Sequence, residues 1–174
     1  MKHYINLFKQ VLLVLAFFFY YTIFSNAQNA DSVTFKLPDA SLKTLDDKNI
    51  TSKEITNNGK PIIIIFWKSC CPPNIKLLDA IHEVYSDWQE ETGVVLYAIS
   101  IDDFRTNYKI APLVNGKGWE FNILLDINSD FKREMNVVAT PHIFILNGNN
   151  EVIWQKTTYS QGDEDEIYKI IKTL

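Results

Sequence analysis

The sequence is poor in cysteine and has no excess of basic residues. It contains two cysteines among 174 residues, and they are adjacent, at Cys70 and Cys71. A single adjacent pair excludes a multi-bridge disulfide scaffold and a zinc site built from four thiolates. The 17 lysines and arginines are outnumbered by 21 aspartates and glutamates, which gives a formal charge of −4. We therefore expect no nucleic-acid partner, because binding to a phosphate backbone needs a basic surface.

The remaining composition is that of one folded domain. Apolar residues make up 47% of the chain and charged residues 22%. These values exclude global disorder and collagen-like or coiled-coil architectures. The sequence contains no internal repeat, low-complexity tract or interdomain linker. A chain of this length predicts a single hydrophobic core.

The N-terminal segment has the pattern of a secretory signal peptide. Lys2 and Lys9 precede a run of 14 uncharged residues at 11–24, and Ser25 and Ala27 are small residues suited to a cleavage site. We expect residues 1–27 to be a signal peptide and 28–174 to form a domain exported to the periplasm. A retained membrane anchor is the alternative, but a helix of 14 residues spans about 21 Å, less than the ~30 Å hydrocarbon core. Membrane contact is therefore expected only through this segment, and only if it is uncleaved.

The pattern of apolar residues predicts a mixed α/β domain. Ile62–Trp67 is an uninterrupted apolar run rich in β-branched residues, which is typical of a central strand buried on both faces. Apolar residues then recur at helical spacing from Leu77 to Trp88 and end before Gly93. Residues 94–101 form a second apolar run. A strand, a long helix and another strand in this order indicate a right-handed parallel unit.

Shorter segments flank this parallel unit. Residues 41–45 and 50–52 predict an N-terminal β-hairpin, and residues 143–146 and 152–155 predict another. The other predicted elements are strands at 33–37 and 121–125, helices at 106–115 and 129–135, and a C-terminal helix with Ile167, Ile170, Ile171 and Leu174 on one face.

The two cysteines stand where the buried strand gives way to the long helix, in the order Cys70-Cys71-Pro72-Pro73. A thiol at a helix N-terminus faces unpaired backbone N–H groups and the positive end of the helix dipole, which favour the thiolate. Proline suits the first helical turn because its missing N–H leaves nothing unpaired there. We therefore predict a reactive thiol with a lowered pKa.

The motif Phe-Trp-x-x-x-Cys-Pro-Pro, in which Cys71 is the cysteine, resembles the exported thioredoxin-like proteins of the TlpA type. A second match is Thr140-Pro141 before the last hairpin, where that fold keeps a cis-proline beside the active-site sulfur. The resemblance covers nearly all of residues 33–174. It implies a thioredoxin-like α/β fold, with a central mixed sheet flanked by helices and the N-terminal hairpin as an extension.

The resemblance also implies a Cys-x-x-Cys pair, in which the first thiolate attacks a disulfide and the second resolves the mixed disulfide. Cys71 matches the attacking position, whereas Asn74 occupies the resolving one, so the usual resolving thiol is missing. A bridge between Cys70 and Cys71 would be strained, since adjacent Cα atoms lie about 3.8 Å apart and bridged cysteines usually about 4.4–6.8 Å. A Cys70–Cys71 disulfide that acts as a redox switch is therefore an alternative to a single attacking thiol.

Several neighbours are expected to support the Cys71 thiol. They are Cys70, Asn74, Pro72, Pro73, Trp67, Thr140 and Pro141. Trp67 is interpreted equally well as a wall of the site or as a core residue. His142 is interpreted as a core or surface residue, with a position near Cys71 as the alternative. No metal and no cofactor are expected, because the thiols and histidines lack zinc-ligand spacing. Peroxidase chemistry, as in the related peroxiredoxins, needs Thr or Ser three residues before the reactive cysteine, where this chain has Lys68 or Trp67.

Two functions compete. The first is a monothiol redox protein, with Cys71 forming mixed disulfides and with protein or small-molecule thiols and disulfides as its partners. The second is a non-catalytic thioredoxin-like module, peptide-binding or chaperone-like, that uses the groove beside Pro141. Asparagine at position 74 favours any function that avoids dithiol turnover.

Overall fold

The computed structural model describes residues 34–174. The predicted signal peptide and Val33, the first residue of the predicted strand at 33–37, lie outside this range. No helix within the described range is both long enough and apolar enough to cross a membrane.

The described chain alternates strands and helices in the predicted order. The strands are β1 (Phe35–Lys36), β2 (Ser41–Thr44), β3 (Asn49–Thr51), β4 (Ile62–Trp67), β5 (Val95–Ser100), β6 (Asn122–Leu125), β7 (His142–Leu146) and β8 (Glu151–Thr157). The α-helices are α1 (Pro72–Thr92), α2 (Ile110–Lys117), α3 (Asp130–Glu134) and α4 (Asp163–Ile171), with short 3-10 turns at Ser52–Glu54 and Asn107–Lys109. The single helix predicted at 106–115 is thus a 3-10 turn followed by α2.

The strands form one eight-stranded mixed sheet in the order β1-β8-β7-β4-β5-β6-β2-β3. Strand β4 lies near its centre, parallel to β5 and antiparallel to β7. The predicted N-terminal hairpin, β2–β3, joins the main sheet because β2 pairs with β6. This architecture confirms the expected fold class.

Alternate residues of β4 supply the two hydrophobic layers on either side of the sheet. Ile63, Ile65 and Trp67 pack with apolar residues of α1, α2 and α4. Ile62, Ile64 and Phe66 pack on the opposite face with Phe131 of α3 and with Phe144 of β7. Burial on both faces explains why the β4 sequence is continuously apolar.

The helix α1 follows the predicted apolar spacing. Leu77, Leu78, Ile81, Tyr85 and Trp88 are buried. Gly93 ends the helix in the left-handed conformation, with φ 67°, which glycine adopts without steric cost. The C-terminal helix α4 buries Ile167 and Ile171, whereas Leu174 lies beyond its end and is 49% exposed, so the prediction of Leu174 on the packed face is wrong.

The residues of the predicted thiol site lie at the carboxyl ends of β4 and β5. These two parallel strands end together, with Trp67 paired to Ser100. The cysteine segment follows β4, a loop containing Asp102 follows β5, and the Thr140-Pro141 loop precedes antiparallel β7. Three segments distant in sequence therefore meet at one edge of the sheet.

Candidate thiol site at the N-terminus of α1

A tight turn from Lys68 to Cys71 connects β4 to α1. The Cys71 backbone N–H donates to the Lys68 carbonyl at 3.3 Å. Cys71 is the N-cap residue of α1, and Pro72 and Pro73 form its first helical positions. The Cys71 carbonyl accepts the Asn74 N–H at 3.0 Å, the first turn of the helix. The cysteine thus lies at the end of α1 predicted from the sequence.

The two sulfur atoms of the pair are in contact. Cys70 Sγ and Cys71 Sγ lie 3.3 Å apart, and both cysteines are free thiols. Cys70 is exposed, and Cys71 is partly buried. An exposed thiol therefore touches the partly buried thiol at the start of α1.

The surroundings raise the pKa of the Cys71 thiol above its ordinary value. The main cause is its hydrogen bond with Cys70, followed by partial burial and by the negative charges of Cys70 and Asp102, whereas the charge of Lys68 acts in the opposite direction. The prediction of a lowered pKa from the helix N-terminus alone is therefore wrong, because it left out the neighbouring sulfur. Cys71 keeps its proton to a higher pH than a free cysteine does.

Asn74 occupies the position of the resolving cysteine and ties two segments together. Its side chain is fully buried. The Nδ2 group donates to the Lys68 carbonyl at 3.2 Å and to Thr140 Oγ1 at 3.3 Å, while Oδ1 has no partner among the described residues. The Thr140–Pro141 peptide bond, two residues before β7, is cis. The asparagine therefore brings the Thr140-Pro141 loop to the N-terminus of α1.

A buried carboxylate anchors the other side of the cysteine turn. Asp102 is 1% exposed. It accepts hydrogen bonds from the Ser69 N–H at 2.9 Å, the Ser69 hydroxyl at 2.7 Å and the Ser100 hydroxyl at 3.0 Å. Sequence reasoning missed this residue. The sequence places a serine two residues after β4 and an aspartate two residues after β5. Because parallel strands end at the same edge of a sheet, these positions could have been predicted to lie close together.

Known proteins share the family and the fold of this chain. The AhpC/TSA family matches residues 33–155, most of the chain. The chain belongs to the AhpC/TSA family. A solved structure of an uncharacterized thioredoxin-like protein from Porphyromonas gingivalis is 46% identical, with a TM-score of 0.72 over 79% of this chain and 90% of that one. The chain therefore has a thioredoxin-like fold.

Curated relatives of this AhpC/TSA protein are more distant. Sporulation thiol-disulfide oxidoreductase A of Bacillus subtilis is 27% identical over 112 residues, which are 64% of this chain and 66% of the relative. Thiol-disulfide oxidoreductase ResA of Bacillus thuringiensis is 25% identical over 118 residues, 68% of this chain and 65% of the relative. The matched region thus spans slightly less than two thirds of either relative.

Trp67 of this AhpC/TSA protein is a core residue. Its side chain is fully buried and packs edge-on against Trp119, with ring centroids 5.5 Å apart. This burial agrees with the interpretation of Trp67 as a core residue. A tryptophan at the end of β4 faces the α1 layer because it continues the alternation of Ile63 and Ile65.

The two histidines within the described residues, His82 and His142, lie against aromatic rings. His142 is buried, stacks on Phe144 with ring centroids 4.2 Å apart, and bonds Gln155 through Nε2. Burial lowers the pKa of His142. His82 packs near Phe121 on the flank of α1. Among residues 34–174, no group of three His, Cys, Asp or Glu side chains is placed to hold a metal ion.

Proposed function

We propose that this AhpC/TSA protein catalyses thiol–disulfide exchange and that Cys71 is the attacking thiol. The observation that carries the proposal is the position of Cys71 at the N-cap of α1, in contact with Cys70 and one helical turn from Asn74. The names of the relatives, which are thiol-disulfide oxidoreductases, support the same chemistry. Among thioredoxin-like proteins, we assign this one to the exported proteins of the TlpA type.

The proposed reaction begins with loss of the Cys71 proton. The thiolate attacks one sulfur of a partner disulfide, forms a mixed disulfide with it, and releases the other sulfur as a thiolate that takes up a proton. The helix N-terminus and Lys68 favour the thiolate. Because the pKa of Cys71 is raised, the rate should increase with pH through that pKa.

The neighbours are assigned supporting roles. Pro72 and Pro73 fix the first turn of α1 without leaving an N–H unpaired. The Thr140-Pro141 loop, held by Asn74, provides the surface beside the sulfur for the partner chain. Asn74 has no thiol, so release of the mixed disulfide needs another thiol.

We further propose that residues 1–27 direct export to the periplasm and are cleaved, leaving residues 28–174. The basic residues, apolar run and small residues at the cleavage position support this assignment. An oxidising compartment would supply disulfides as partners. Mass spectrometry of the protein from cell fractions should find an N-terminus at Gln28; an intact N-terminus in the cytoplasm would refute this part.

Reaction with a chromogenic aromatic disulfide tests the central assignment. Acid quenching followed by peptide mass spectrometry should place the first adduct on Cys71. Cys71→Ser should reduce the initial rate by at least about tenfold, and Cys70→Ser should still form the adduct. Equal rates for Cys71→Ser and the wild type would refute Cys71 as the attacking thiol.

A non-catalytic peptide-binding or chaperone-like module is the second candidate. Two observations favour it, namely the asparagine at the resolving position and the raised pKa of Cys71. In that case Cys71→Ser would bind an extended test peptide as tightly as the wild type and would prevent aggregation of an unfolded protein equally well. Loss of both properties in Cys71→Ser would exclude this candidate.

A further inference from the structure

We propose that Cys70 is the resolving thiol of this protein, and that each exchange passes through a disulfide between Cys70 and Cys71. The inference rests on the proposed function, because it requires Cys71 to form the mixed disulfide first. It assigns a catalytic role to a residue that lies outside the usual Cys-x-x-Cys spacing.

The distance between the sulfurs supports this role. Cys70 Sγ lies 3.3 Å from Cys71 Sγ, so it must approach by only about 1.3 Å to reach a disulfide bond length of about 2.05 Å. Cys70 is exposed and belongs to a turn rather than to a helix or strand. Its side chain therefore has room to rotate toward the partner sulfur.

The chain offers no other thiol for this step. Cys70 and Cys71 are its two cysteines, and the usual resolving position holds the buried amide of Asn74, which is fixed to Lys68 and Thr140. A group within the chain reacts far faster than one in solution when it is held near the reacting atom. Cys70 meets this condition.

The segments on both sides of Cys70 are anchored. Ser69 donates both its N–H and its hydroxyl to Asp102, and the Cys71 N–H donates to the Lys68 carbonyl. These contacts keep the turn closed before and after the cysteine. The sulfur pair is thus held together by the surrounding fold rather than by a mobile loop.

The proposed exchange has two steps. The Cys71 thiolate attacks R–S–S–R′, giving Cys71–S–S–R and R′–SH. The Cys70 thiolate then attacks the Cys71 sulfur, forming the Cys70–Cys71 bond and releasing R–SH. The partner disulfide gains two electrons and two protons, and the cysteine pair loses them.

Strain should make the Cys70–Cys71 disulfide easy to reduce. Adjacent Cα atoms are about 3.8 Å apart, below the usual range of about 4.4–6.8 Å for bridged cysteines, and strained disulfides are more easily reduced. The Cys70–Cys71 bond is therefore expected to be short-lived in the presence of an external thiol, which would reopen it and return both cysteines to the reduced state. A pair that closes and reopens readily suits exchange rather than permanent cross-linking.

The test treats the reduced protein with oxidised glutathione, stops the reaction with acid at successive times, and weighs the intact protein. The wild type should pass through a single glutathione adduct and then lose two hydrogens relative to the reduced protein. Cys70→Ser should stop at the adduct on Cys71. Far-ultraviolet circular dichroism of Cys70→Ser should match the wild type because Cys70 is exposed.

The other outcomes separate the two proposals. A wild-type protein that stops at one adduct, carries two adducts or forms a dimer through Cys71 would overturn the role of Cys70 while leaving Cys71 as the attacking thiol. If Cys71→Ser forms its adduct as fast as the wild type, the proposed function itself fails.

Discussion

The Asn74 side-chain amide donates a hydrogen bond at 3.3 Å to Thr140 Oγ1, a residue 66 positions further along the sequence. The same amide group reaches the Lys68 carbonyl at 3.2 Å. The residue in the resolving position therefore joins the cysteine turn to the Thr140-Pro141 loop. A cysteine at position 74 would provide a resolving thiol, whereas the asparagine amide links two segments of the chain.

We expect Asn74→Ala to destabilise the fold by about 1–2 kcal/mol. The substitution removes two hydrogen bonds and leaves a small cavity, and the loss of the unpartnered Oδ1 atom offsets part of the cost. Urea unfolding measures the change in the free energy of unfolding. The exposed Asn115 of α2 offers a matched control, since Asn115→Ala should change that free energy by less than about 0.5 kcal/mol. Equal effects of the two substitutions would contradict the structural link.

Restoring a cysteine at position 74 should restore an ordinary resolving thiol. In the variant Cys70→Ser/Asn74→Cys, residues 71 and 74 adopt the Cys-x-x-Cys spacing at the start of α1. After treatment with oxidised glutathione, this double variant should lose two hydrogens, whereas Cys70→Ser alone should retain the glutathione adduct. Intact-protein mass spectrometry distinguishes them. A stable adduct on Cys71 in the double variant would show that a thiol at position 74 does not resolve the mixed disulfide.

The reactivity of Cys71 should be limited by its proton at neutral pH. The hydrogen bond with Cys70, burial and nearby negative charge raise the pKa of Cys71, so alkylation of Cys71 should be half-maximal above the ordinary cysteine value of about 8.5. Cys70→Ala removes the main cause and should move the midpoint to lower pH. The measurement is the alkylation rate of Cys71 against pH, followed by peptide mass spectrometry. An unchanged or higher midpoint in Cys70→Ala would contradict this cause.

Asp102 should influence both the turn and the thiol. Asp102→Asn removes a negative charge and weakens the hydrogen bonds to Ser69 and Ser100. The expected results are a loss of about 1–3 kcal/mol in the free energy of unfolding and a lower pKa of Cys71, since the charge of Asp102 raises it. Urea unfolding and the pH dependence of alkylation measure the two effects. If Asp102→Asn is destabilised but the pH midpoint of Cys71 alkylation is unchanged, Asp102 has only a structural role.

His142 should make the fold less stable in mild acid. Burial lowers its pKa in the folded protein, whereas the unfolded chain keeps the ordinary value of about 6.5. The unfolded state therefore binds more protons as the pH falls below that value, and stability decreases. His142→Phe keeps an aromatic ring beside Phe144 and should show a smaller difference in the free energy of unfolding between about pH 7.5 and about pH 5.5. An identical difference in both proteins would contradict this contribution.

Much of the fold follows from local sequence patterns. The continuous apolar run of β4 and the helical spacing in α1 each predict an element whose burial the structure confirms. The split between the 3-10 turn at Asn107–Lys109 and α2 was not predicted, because contacts with the rest of the chain decide where a short helix begins. Leu174 fits the helical spacing of α4, but the helix ends at Ile171.

The thiol site was predicted less completely than the sheet. Position along the chain identifies Cys71, whereas the pKa of its thiol depends on the Cys70 sulfur and on Asp102, which lies 31 residues further along the sequence. The buried contacts of Asn74 likewise depend on Thr140. Such interactions arise from strand pairing and loop conformation, which the spacing of apolar residues does not encode.

The most direct test of thiol–disulfide exchange at Cys71 traps the protein in intact cells by acid quenching and determines the state of each cysteine by mass spectrometry. We expect Cys70→Ser to accumulate mixed disulfides through Cys71 with thiol partners, and the wild type to show few of them. If Cys71 of Cys70→Ser is a free thiol under the same conditions, while the protein is folded and present in normal amount, thiol–disulfide exchange at Cys71 is contradicted.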